Sequence, residues 1–192
     1  MFFSSIILSI LIGRLRGGRI AGLGDMRIRK IGWALLGFLV RFGLSMAPGR
    51  VLLPAWLAAG VHLSAYIMVI YTVAWNLNLR GAPWIGIGTA LNLLVIGANG
   101  GRMPMSPIAL QMAGVEPPAG SFTHQVLTES TRLKFLGDVL AIPKPLWAAC
   151  VYSIGDALMI VGVFLLIQSA MLGSREGVSE RDRWRARVRG CS

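Results

Sequence analysis

The sequence predicts an all-α helical membrane bundle of about five transmembrane helices, with one long extracytoplasmic loop before the last of them. Three observations predict it. Hydrophobic residues make up 55% of the 192 residues and charged residues only 14%, against about 25% charged in an average soluble domain. The apolar residues collect in long runs, and about 20 helical residues cross a hydrocarbon core about 30 Å thick. The Lys and Arg residues sit in blocks beside those runs, as they do where charge sets orientation in a bilayer. A soluble core with this much apolar side chain would expose large adhesive patches. The net charge of +11, held in such blocks, points to anionic lipid rather than to nucleic acid, for which no motif is present.

The first apolar stretch, 1–15, ends at Arg14 and Arg16. Its uncharged part makes a helix of only about 20 Å at 1.5 Å per residue. It either crosses with both arginines snorkelling to the cytoplasmic surface or lies in the interface. The charges follow the apolar run, the reverse of a cleaved signal peptide. The second span, 31–48, is apolar apart from Arg41. The third, 54–77, and the fourth, 82–99, carry no charge, and the fifth, 147–172, is interrupted only by Asp156. These spans form a transmembrane domain over 1–174, followed by a basic tail over 175–192 that includes Arg181, Arg185 and Arg189.

Orientation follows from the basic residues. Arg14, Arg16, Arg19, Arg27, Arg29, Lys30, Arg80 and the tail all fall on one side of the bundle, which is therefore cytoplasmic. The C-terminus is then cytoplasmic and the N-terminus outside. The basic residues Arg14, Arg16, Arg19, Arg181, Arg185 and Arg189 are candidates to rest on anionic lipid, at about 1 kcal/mol each. Cys150 and Cys191 lie on opposite sides and have no metal-type spacing. A membrane-protein partner or a second copy is the other kind of contact such a bundle makes.

The long outer connection, 100–146, exceeds what a compact domain usually tolerates and such loops are often functional. Ser106-Pro107 supplies an N-cap and a first-turn proline, with Gly114 as the stop, so a short surface helix is expected there. Thr128 to Ile142 reads as a second amphipathic piece. No internal repeat is present, which weakens an inverted-repeat transporter.

Several landmarks occur in order: Arg14-Leu15-Arg16-Gly17-Gly18-Arg19, Ala98-Asn99-Gly100-Gly101-Arg102-Met103-Pro104, Leu136-Gly137-Asp138-Val139 and Ser153-Ile154-Gly155-Asp156. With them the chain resembles an uncharacterised family of small bacterial multi-pass membrane proteins, designated only as a domain of unknown function. The resemblance runs from the first apolar stretch to the last span and leaves the tail after Gly173 outside. It implies a membrane location and carries over no catalytic residue.

Intramembrane polar residues are costly, so each is a functional candidate. Arg41, His62, Asn92 and Asp156 come from four different spans, and helical rise puts all four about 10–14 Å below the outer boundary. An Arg41–Asp156 pair inside the bundle, with His62 and Asn92 nearby, is the expectation. Such a pair can serve only to fix helix register. A single histidine without further ligands is a poor metal site, and no cofactor motif is present. Asn99, Gly100, Gly101 and Arg102 could form an anion-binding nest, although Asn and Gly are also the usual helix stop. In the loop, His124 and Asp138 are the only acid/base candidates. The favoured role is a non-catalytic subunit or scaffold of a membrane assembly. The alternative is a protein that binds or transports a small molecule, ion or lipid through the outer polar cluster, and an outer-leaflet lipid-modifying enzyme comes third.

Overall fold

Uninterrupted apolar runs punctuated by Pro and Gly fold here as helices. The structure is a computed structural model that describes residues 2–46, 54–143 and 149–189. Arg50, Lys144, Cys191 and the side chains of Arg181, Arg185 and Arg189 lie outside the described residues. The helices are α1 (Phe2–Leu15), α2 (Ala21–Asp25), α3 (Ile31–Met46), α4 (Ala55–Ala74), α5 (Ala82–Ala98), α6 (Pro107–Ala113) and α7 (Ile154–Arg189). Among the described residues two helical segments are long and apolar enough to cross a membrane, Ala55–Ala74 and Ile154–Gly173. The other apolar helices, Ser4–Leu15, Ile31–Met46 and Ala82–Ala98, are shorter.

Small residues let the helices meet backbone to backbone. Along the antiparallel α5–α7 contact, a methyl group at Gly88 would collide with the Gly155 carbonyl, and one at Gly162 would collide with Ile85 and the Gly81 carbonyl. Gly81 also starts α5 at φ 96°, a conformation that glycine adopts without Cβ strain. Gly37 of α3 lies against the Ala65 carbonyl of α4, and Gly13 of α1 against Met171 of α7. The bundle has a basic end, where the α1–α3 connection and the α4–α5 turn meet, and a capped end covered by residues 99–143 and 149–153.

The cap corrects the all-α expectation. It contains β1 (Met103–Met105) parallel to β2 (His124–Val126), and β3 (Leu140–Ile142) antiparallel to β4 (Cys150–Tyr152). The expected surface helix is present as α6. The Ser106 side chain accepts the Ala109 amide, and Gly114 closes the helix at φ 63°. The amphipathic piece expected over Thr128 to Ile142 is instead a turn, a 3-10 segment at Lys134–Leu136 and strand β3. Leu133 at φ 53° and Gly137 break any helical run there. Met103 enters the core with Tyr66, Val95, Ile96 and Leu136, so the cap fills the end of the bundle instead of lying over it.

A second correction concerns the last helix, which starts at Ile154 and not near 147. Hydropathy carried the expectation back into residues that form β4. The start itself is a capping box: Ser153 Oγ accepts the Asp156 amide at 3.0 Å, and the Ser153 amide donates to Asp156 Oδ2 at 3.3 Å. Reciprocal bonding of this kind satisfies two free donors of the first turn. Asp156 therefore sits at the positive end of a helix, where a carboxylate is stabilised, and not deep within a span.

Candidate functional site

Where α7 begins, its first turn is level with Asn92 of α5. Asn92 Nδ2 donates to Asp156 Oδ1 at 2.8 Å, and Ser153 Oγ donates to Asn92 Oδ1 at 2.9 Å. Asn92 and Ser153 are almost fully buried, and together the three side chains make a closed polar knot. Ser153 was missed as a site residue, although the Ser-x-x-Asp spacing before an apolar run could have located it.

This knot forms one wall of a cavity of about 180 Å³ lined by Arg41, Tyr66, Asn92, Met103, His124, Asp138, Cys150, Val151 and Asp156. Three of the four residues expected to cluster from the spans are thus gathered, together with the acid/base pair expected in the loop. The fourth, His62, lies behind Tyr66. Its Nδ1 meets the Gly101 carbonyl at 2.6 Å, its ring packs edge-on against Tyr66 with centroids 5.5 Å apart, and its Nε2 is buried without a hydrogen-bond partner.

The direct Arg41–Asp156 pair does not form. Asp156 is held by Asn92 and Ser153, while the Arg41 guanidinium stands over the Tyr66 ring, 5.5 Å from its centroid. Among the described residues no carboxylate lies within ion-pair distance of Arg41.

Asp138 is 4% exposed. Its backbone is fixed by the Asp138 amide on the Pro104 carbonyl and the Ser106 amide on the Asp138 carbonyl. Its side chain is less occupied: Oδ1 is buried without a partner, and Oδ2 faces His124 Nε2 at 3.8 Å, too far for a hydrogen bond. Burial, and secondarily the nearby Asp156, pushes the Asp138 carboxyl up to about 8. Burial, then the charge of Arg41, pulls His124 down to about 4. At neutral pH the cavity therefore holds a protonated carboxyl facing a neutral imidazole. His124 Nδ1 is engaged by Thr123 Oγ1 at 2.8 Å, which leaves Nε2 free toward the cavity. An acid and a base so tuned could move a proton on a bound group. Burial raises the Cys150 thiol, so it is no activated nucleophile.

A second cavity, of about 340 Å³, adjoins the first. It is lined by Ile6, Gly37, Phe38, Arg41, Ala65, Tyr66, Val69, Thr89 and Met159. Its walls are almost wholly apolar, and it shares Arg41 and Tyr66 with the polar cavity.

The Asn99–Arg102 turn is a helix stop and not an open nest. The Gly101 amide donates to Ile96, the Arg102 amide to Asn99 and the Met103 amide to Thr123. Gly100 and Gly101 have positive φ, and Gly101 packs directly on Ala59. Asn99 instead grips the Arg132 backbone through both ends of its amide, at 2.9 Å each. At the basic end Arg16 donates to Gln168 at 3.0 Å, and the Arg19 amide donates to Met171. The Arg14 and Arg19 side chains remain exposed. Gln168, which donates to the Ser9 carbonyl at 2.7 Å, was also unforeseen. A lone glutamine in an apolar run gives no sign of its partner.

Among the described residues no group of His, Cys, Asp and Glu could hold a metal ion. The model of a family described as a family of unknown function, DUF5317, matches residues 25–168. The match contains every residue lining the polar cavity and leaves α1 outside. A relative from Thermotoga maritima, named only as an uncharacterized protein, is 28% identical over 166 residues, covering 86% of each chain. No solved structure matches. The chain belongs to the DUF5317 family of unknown function.

Proposed function

We propose that this chain is an integral membrane protein whose capped end binds a membrane amphiphile, head group in the polar cavity and apolar chain in the adjoining one. The observation that carries this is the sharing of Arg41 and Tyr66 by two cavities of opposite character. Small-molecule sites commonly pair apolar walls with a few convergent polar groups. Water would fill the polar half, and only an apolar group fits the other half without penalty.

Five helices, α1, α3, α4, α5 and α7, cross the bilayer in this proposal. Leu35, Phe38, Leu39 and Phe42 of α3 are each about half exposed or more. A face of this kind is stable in lipid and adhesive in water. The basic end lies in the cytoplasm, with Arg14 and Arg19 on anionic lipid. The cap and the start of α1 lie outside. The shorter helices are accommodated by tilt, local thinning and arginine snorkelling.

The subunit or scaffold role is the second reading. It is favoured by the Asn92–Ser153–Asp156 knot, whose internal bonds need no ligand. The two readings part at Val69, which lines only the apolar cavity. The protein purified in native-lipid discs should retain an amphiphile at about one per chain, detected by mass spectrometry of the extract. Val69→Trp, which fills the chain pocket, should lose it while eluting as the same monodisperse particle. Equal retention by the folded variant would refute the binding proposal and leave the subunit role.

A further inference from the structure

We infer that the bound amphiphile has a single chain and one oxyanion, a carboxylate or a phosphate monoester, seated between the Arg41 guanidinium and the Asp138 carboxyl. This rests on the binding proposal above and specifies what the site accepts.

Size decides the chain. A space of 340 Å³ holds roughly ten methylene-sized groups at about 30 Å³ each, the volume share of a water molecule. One medium-length chain matches that space. The polar cavity, at 180 Å³, matches a compact head group.

Charge and hydrogen bonding decide the head. The groups facing the polar cavity are Arg41 from α3, Tyr66 from α4, Asn92 from α5, His124 from β2, Cys150 from β4 and Asp156 from α7, with Asp138 beside β3. Asp156 is occupied by Asn92 and the Ser153 amide at the start of α7 and makes no ion pair with Arg41. That leaves Arg41 as a half-buried cation with only a ring beneath it. A cation withdrawn from water is costly until an anion meets it. Asp138 adds a second, independent sign: a carboxyl 96% buried, with Oδ1 unpartnered and Oδ2 unbonded. Carrying its proton at neutral pH, it is a donor in need of an acceptor, and an oxyanion accepts the short, strong bond that such a donor makes. A ligand amine would leave both needs unmet and would place its charge near Arg41.

Cys150 reports on the site from within, because it lines the polar cavity and is partly accessible. The protein carrying Cys191→Ser is reconstituted in lipid nanodiscs, leaving Cys150 as its single thiol, and its rate of alkylation by N-ethylmaleimide is measured. Dodecanoate or dodecyl phosphate at ninefold excess over Kd should slow alkylation about tenfold, the factor by which the free site is depleted. The more potent of the two identifies the head group. Dodecanol, dodecylamine and dioleoyl phosphatidate should give no protection. Arg41→Gln should abolish protection and Arg41→Lys retain part of it. Protection by dodecanol or dodecylamine equal to that by dodecanoate would overturn the oxyanion while leaving an amphiphile site. Protection by dioleoyl phosphatidate would overturn the single chain. Failure of all five compounds would remove the binding proposal itself.

Discussion

At the basic end Asn76 holds the Arg29 backbone through both ends of its amide, at 2.7 and 2.8 Å. At the capped end Asn99 holds the Arg132 backbone in the same two-point manner at 2.9 Å. In each case a side chain imitates a strand partner and ties a connection to a helix end. The surroundings differ. Each asparagine also reaches the carbonyl four residues before it, Thr72 for Asn76 and Val95 for Asn99. At the basic end the polar groups are occupied: Thr72 reaches the Lys30 and Met68 carbonyls, and Gln168 both Ser9 oxygens and Arg16. Beneath Asn99 the capped end leaves His62 Nε2 and Asp138 Oδ1 buried without partners. Buried polar atoms are nearly always bonded, so the basic end reads as a fastening and the capped end as a fastening with capacity to spare. Stability and binding should therefore separate along the molecule.

The largest stability effect belongs to the basic end. Asn76→Ala removes three hydrogen bonds from a buried amide and should cost about 2–4 kcal/mol, measured by denaturant unfolding in bicelles. A loss below that of Asn99→Ala would reverse the comparison. Next in size is a pH effect confined to the capped end. The folded Asp138 titrates at about 8 against 3.8 for the free group, so the folded state binds more protons in that window and stability falls as pH rises. His124, lowered to about 4 from 6.5, acts oppositely below pH 6.5. From pH 6.5 to 8 Asp138 acts alone and should cost up to about 2 kcal/mol. Asp138→Asn should flatten that slope, and an unchanged slope would place the titrating group elsewhere. Asn99→Ala follows at about 1–2 kcal/mol, because Asn99 is only half-buried and its two bonds to the Arg132 backbone are exposed and can turn to water. Asp138→Leu should be the mildest, within about 1 kcal/mol of the wild type and of either sign, since it removes a buried carboxyl whose side-chain oxygens make no short-range bond within the capped end.

How much of this was legible in the sequence depended on whether the cause was local. Pro54 starts α4 and Gly81 with Pro83 starts α5 within a residue of expectation, because punctuation and apolar run coincide. The α6 boundaries followed from Ser106, Pro107 and Gly114 for the same reason. The start of α7 was misplaced because hydropathy does not distinguish an apolar strand from an apolar helix, and the capping box at Ser153 and Asp156 was the local signal that went unused. Asp156 was counted from a helix start near 147 that the structure moves to Ile154, whereas Arg41 and Asn92 could be placed at similar depth from helical rise. That Asp156 would choose Asn92 over Arg41 could not, since side-chain geometry decides it. The loop pair His124 and Asp138 could be named from residue type alone. Their arrival on the same cavity as the helix residues depends on β1 pairing with β2 and on the Asp138 bridge to Met105. Those pairings are non-local, and no pattern along the chain encodes them.

The most direct measurement reads Asp138→Leu twice in one preparation from native-lipid discs, for folded abundance and for bound amphiphile. Unchanged abundance with the amphiphile lost is the expected result, because the capped end then holds a site and not only a fastening. Amphiphile retained at the wild-type level by the folded variant would contradict it, and so would collapse of the fold, which would make Asp138 a fastening like Asn76.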